Sequence, residues 1–170
     1  MLLMDKPLAY VIFCDDVRQE VGDKRTFVGV YGTELFVPEI PTLIPKFYAV
    51  TTLICYRKKT PKELTIRLTY CDEEIAKVEL ESKELKAWYD ISEEELSLEE
   101  KEFPETDPPK MRVGIEMLIS PFVVRREGRM ASHVFTEGGT VRAGSMRIMQ
   151  KDGVESTALP MLDKGQRVAD

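Results

Sequence analysis

KFYAVTTLICYRKKTPKELTIRLTYCDEEIAKVEL, residues 46–80, decides the fold. Three apolar runs are separated by two compact polar breaks. In the second run Leu64, Ile66, Leu68 and Tyr70 fall on one side and Thr65, Arg67, Thr69 and Cys71 on the other. That period of two belongs to a strand with one buried and one wet face. Ala76, Val78 and Leu80 repeat it against Lys77, Glu79 and Glu81. Asp72, Glu73 and Glu74 read as the turn between them, because Asp hydrogen-bonds its own neighbouring backbone. Residues 47–56 are apolar or Thr at nearly every position, so both faces should be covered and the run should be a central strand. Residues 57–62 form a basic loop, and Pro61, which has no N–H for a ladder, closes the strand. A single long helix is excluded by the density of β-branched and aromatic residues and by Pro61. The expectation is three consecutive antiparallel strands in the middle of a sheet.

Upstream, LAYVIFC (8–14) is a short, continuous apolar run and reads as a first strand buried on both faces. Asp15, Asp16, Arg18 and Glu20 follow as a dense polar group at its end. Gly22 and Asp23 suit a bend into a second strand over 25–31. Gly29 and Gly32 allow a bulge or a close backbone approach. Residues 34–37 look like a short continuation. Pro38, Pro41 and Pro45 then fix an extended, rigid connector that crosses between sheets.

Downstream, residues 90–109 hold nine acidic residues and one lysine, a local −8 against −6 for the whole chain, so the remainder carries +2. Ser92 with Glu95 three residues later predicts a capping box and a short helix near 92–100. Residues 111–124 read as a strand, with Pro121 marking an edge, bulge or kink. Strands are expected over 130–135 and 140–150, joined by a hairpin turn at Thr136, Glu137, Gly138 and Gly139. The predicted architecture is an all-β, antiparallel, immunoglobulin-like sandwich of about eight strands. One domain should span 1–153 with an acidic insertion at 90–109, and 154–170 should be a tail. Strands do not alternate with long amphipathic helices, which argues against a doubly wound nucleotide-binding sheet.

The segment YVIFCDDVRQEVGDKRTFVGVYGTELFVP, within residues 9–45, resembles the opening of a family of small uncharacterised bacterial and phage domains. In that pattern an apolar strand ends in Cys-(Asp/Glu)-Asp-Val-Arg, a Gly-containing turn follows, and a second strand ends in Gly-Val-Tyr-Gly. The resemblance is firm over about the first quarter of the chain and loose over the central strands. It implies a compact β domain, and it brings no activity with it.

No catalytic set emerges. His133 is the one histidine, and alternation places it with Ala131 and Phe135 on a strand face. Zinc needs about four nitrogen or thiolate ligands, which one His and the scattered Cys14, Cys55 and Cys71 do not supply. Those cysteines read as free, buried thiols of a reducing compartment. The glycine turns lack the spacing of a phosphate loop to a Lys-Ser/Thr pair, and no serine sits in an elbow motif. Asp15, Asp16, Arg18 and Glu20 are the one candidate small-molecule or cation site, through oxygen ligands. The competing reading is that they fix the turn, with Arg18 bridging an acid. Leu159, Pro160, Met161 and Leu162 form an apolar island that reads as an interaction surface.

The acidic balance argues against nucleic acid, which needs clustered Lys and Arg, although a small basic face is compatible with it. No run approaches the about 18 apolar residues of a membrane helix. The expectation is a non-enzymatic interaction or assembly domain, without cofactor or metal. Its partner would be a protein or a second copy, in the cytoplasm or, if phage-encoded, in a virion. The alternative is a small-molecule or ion-binding sensor.

Overall fold

The computed structural model describes residues 7–22, 24–56, 59–88 and 110–151. The described residues are all-β, with one short helix. The first strands are β1 (Leu8–Cys14), β2 (Asp16–Gln19), β3 (Arg25–Val28), β4 (Glu34–Val37), β5 (Thr42–Ile44) and β6 (Phe47–Tyr56). They are followed by β7 (Leu64–Tyr70), β8 (Glu73–Leu80), helix α1 (Ser82–Trp88), β9 (Lys110–Ile119) and β10 (Phe122–Val124). The last pair is β11 (Gly128–Thr136) and β12 (Gly139–Gln150). Two sheets carry the core, one ordered β1-β6-β9 and one ordered β4-β12-β11-β7-β8. Two ribbons, β2-β3 and β5-β10, complete the described strands.

β6 is central, as its unbroken apolar character requires: β1 pairs along one edge and β9 along the other, both antiparallel. β7 and β8 pair as expected, but β6 does not join them. The chain crosses from one sheet to the other between β6 and β7, because β6 needs neighbours on both edges and cover on both faces. Buried side chains from both sheets then meet in one core. Phe47 lies at its centre, fully buried, with Phe13 stacked at 5.8 Å and Phe122 at 6.0 Å. Tyr70 meets Phe122 edge-on at 5.2 Å, a geometry aromatic quadrupoles favour. The hydroxyls of Thr51 on β6 and Ser132 on β11 are buried and hydrogen-bonded to each other at 2.8 Å across the two sheets.

Several boundaries depart from the sequence reading. Glu34–Val37 is no continuation of β3; it pairs parallel to β12 in the other sheet. Asp15–Glu20 is not a plain turn, because Asp16–Gln19 forms a hairpin with β3. The proline connector does cross between sheets, and it carries β5 on the way. The turn after β7 is Cys71 and Asp72, both at positive φ, with Glu73 and Glu74 already in β8. Pro121 splits the expected long strand into β9 and β10, and the Ser120 hydroxyl there donates to the Pro45 carbonyl at 2.8 Å. The described helix is α1, where the Glu84 carboxylate accepts the Glu81 N–H at 2.9 Å and Leu85 is buried. The helix expected near 92–100 lies outside the described residues, as do the tail 154–170 and the apolar island within it.

Candidate functional site

The polar group after β1 is brought together by the β2–β3 hairpin and is occupied by its own contacts. The Asp15 N–H donates to the Val28 carbonyl at 3.0 Å, and the Tyr31 N–H to the Phe13 carbonyl at 2.8 Å. This places the Tyr31 hydroxyl on the Asp15 carboxylate, to which it donates. Burial, reinforced by that carboxylate, pushes the Tyr31 phenol upward, so it stays protonated. The other Asp15 oxygen lies over Gly29, where a Cβ would come within 1.9 Å of it. Asp16 accepts from Lys46, which holds its carboxyl below the usual range, and Arg18 Nε lies 3.5 Å away. Arg18, as the sequence suggests, bridges an acid. Glu20 joins none of these side-chain contacts; its backbone N–H closes the hairpin on the Lys24 carbonyl at 2.8 Å. The four residues run along the hairpin from its open end at Asp15 and Asp16 to its turn at Glu20, and Asp15 and Asp16 each already hold a donor. Among the described residues no cluster of three or more His, Cys, Asp or Glu side chains is arranged to hold a metal ion.

The hairpin leans over the outer face of the β1-β6-β9 sheet. Arg25 at its far end meets Glu116 of β9 at 3.1 Å. Under it Cys14, Val50 and Thr52 are buried, although they point away from the core. Beyond its cover Leu8 and Leu118 remain 61% and 53% exposed. The far edge of β9 pairs with no strand among the described residues. That leaves a ten-residue row of backbone donors and acceptors at a sheet edge. One edge of the other sheet, β8, is blunted by Glu73, Glu74, Lys77 and Glu79 and by a register shift opposite Leu68 and Thr69. Charges and bulges are how edges avoid pairing. β9 has Lys110, Arg112 and Glu116 as its outward charges and no register shift against β6.

A cavity of about 420 Å³ opens between the β7–β8 turn and the loop after β10. Tyr70, Ile75, Phe122 and Val123 give it an apolar wall, and Arg125 and Arg126 stand at its mouth. The Tyr70 hydroxyl donates to the Arg126 carbonyl, and burial pushes its pKa up to about 12. Arg126 Nη2 holds Glu73 Oε1 at 3.2 Å. Cys71 faces this cavity half-buried, whereas Cys14 and Cys55 are buried, and all three are free thiols. The expected burial therefore holds for two of them, and Cys71 sits in a turn instead of a strand. Sequence reading missed this cavity, because it forms from two turns more than fifty residues apart in the chain.

His133 lies on the outer face of the other sheet, as alternation predicts. Burial pushes its pKa below the usual histidine range, and Arg142 and Arg67 on the flanking strands add to this. No described helix is long and apolar enough to cross a membrane. Comparison with protein-family models, with curated proteins and with solved structures returns no match in any of the three.

Proposed function

We propose that the chain is a non-enzymatic assembly domain that pairs with a second copy of itself along β9. The scaffold is taken as a sandwich with the β9 edge as its working surface. The edge of β9, unpaired among the described residues, carries this reading. An antiparallel, two-fold pairing centred on Gly114 is self-complementary: Arg112 faces Glu116 of the second copy, Val113 faces Ile115, and Met111 faces Met117. Two-fold interfaces require this kind of self-matching, and opposite charges directly across a strand pair stabilise it. Leu118, exposed on the same strand, would be covered as well. The resemblance of residues 9–45 to small bacterial and phage domains fits an assembly role, and a phage or prophage structural component is the specific form we favour.

Light scattering on the full chain tests this. The particle should weigh twice 19.5 kDa. Arg112→Glu sets like charges across the pair twice over and should weaken association about ten-fold. Amide exchange should slow in β9 and not in β8 as concentration rises. A wild-type chain that stays at the monomer mass ends the proposal.

A second reading, a small-molecule sensor, is favoured by the cavity beside Cys71. Its size falls in the range of ligand pockets, about 300–1,000 Å³. A thermal-shift screen of small organic acids should raise Tm for a compound that also protects Cys71 from alkylation. A screen without any such compound removes this reading.

A further inference from the structure

Alternation along three neighbouring strands assembles a basic surface that no stretch of the sequence contains. On β7, Leu64, Ile66 and Leu68 are buried, which puts Arg67 on the outer face. On β11, Met130, Ser132 and Val134 are buried, which puts Arg129, His133 and Phe135 outside. On β12, Met146 and Ile148 are buried and Arg147 is exposed. Arg142 reaches the same face through a register shift between Ser132 and His133, after which it stands opposite His133.

The register then sets like charges side by side. Arg129 is directly opposite Arg147. Lys77, Arg67, His133 and Arg142 form one row across four strands, a span of about 14 Å at strand spacing. Like charges directly opposite destabilise a sheet. Acids offset part of the row: Glu74 lies 2.9 Å from Arg67 Nε, and Glu79 pairs with Lys77. Yet Arg67 Nε is buried and makes no aligned hydrogen bond. Arg142 is held by the neutral Ser145 hydroxyl at 2.8 Å. Among the described residues no acid forms an ion pair with Arg129, Arg142 or Arg147, although Glu34 on β4 is the register partner of Arg147. A face that tolerates uncompensated repulsion in a chain of net charge −6 is built to meet an anion.

Its chemistry favours phosphate and bases over carboxylate alone. The uncompensated cations are arginines, whose planar guanidinium grips phosphate at two points and stacks on flat rings. Arg67 already does so over the half-buried Phe135 at 4.8 Å, and the His133 ring lies 6.4 Å from that of Phe135. Rings among cations on an open sheet form a platform for unstacked bases, whereas a broad sheet face does not enter a duplex groove.

We infer that the outer face of the β4-β12-β11-β7-β8 sheet binds single-stranded nucleic acid through Arg67, Arg129, Arg142 and Arg147. The edge of β9 lies in the other sheet, so this holds whether or not the chain dimerises. Fluorescence anisotropy with a labelled oligodeoxythymidylate, titrated with salt, reads it out. Four phosphate contacts give a slope of about −2.8 in log K against log salt, at about −0.7 per contact. Arg129→Gln/Arg147→Gln, both exposed and carrying no structural contact, should keep the circular dichroism spectrum and bring the slope to about −1.4. Lys24→Gln, at the end of the hairpin on the other sheet, should leave the slope unchanged. Three results overturn the inference: no binding at low salt, a double variant that binds like wild type, or poly-glutamate displacing the oligonucleotide at equal charge. The last would assign the face to an acidic polypeptide.

Discussion

Gly29 stands where a side chain has no room. Its φ of +64° lies in the left-handed region that costs other residues about 1–2 kcal/mol. The space a Cβ would take is filled by the carboxylate that Tyr31 holds. Gly29→Ala should therefore expel Asp15 from the Tyr31 hydroxyl and cost about 2–4 kcal/mol, strain and overlap together. Chemical denaturation measures the loss, and a change within error of zero would mean that Asp15 is not fixed as described. The sequence points to this position: a glycine fourteen residues after Asp15 can permit a close approach. What approaches is not legible, because it depends on how the hairpin closes. The same holds for Gly128, whose missing Cβ leaves the place where the Cys71 sulfur sits.

At the level of strands, nearly every apolar run in the sequence is a strand, because alternation is a local property. Which strands are neighbours is not local. Arg67, Arg129, Arg142 and Arg147 look like scattered surface cations until β7, β11 and β12 lie side by side. The parallel partner of β4 is equally invisible, since four residues carry too little pattern to choose an edge. The charge row yields a prediction opposite in sign to most substitutions. Arg147→Thr relieves the repulsion with Arg129 and places a β-branched residue in a strand, so it should raise stability by about 0.2–1 kcal/mol. A measured loss would show that Arg147 is compensated by Glu34, its register partner on β4.

On the scale of the whole molecule, the two main sheets of the described residues share an oily core, and a polar link, Thr51 to Ser132, crosses it. A buried hydroxyl that loses its partner costs about 1–3 kcal/mol, while removing both can be nearly neutral. Ser132→Ala and Thr51→Val should each destabilise, and the double variant should lose less than their sum. Strict additivity in urea unfolding would show that the two hydroxyls do not depend on each other. Molecular charge is a poor guide at this scale: the −8 of residues 90–109 masks the +2 of the rest and the basic face with it. The order of strands has one more consequence. β12 sits between β4 and β11 and touches β1. A chain emerging from the ribosome therefore offers β4 no bonded neighbour among the described strands until β12 is out. The β4 edge waits for β12, across more than a hundred residues, which makes translation speed and chaperone supply matter for this edge more than they would for a local hairpin.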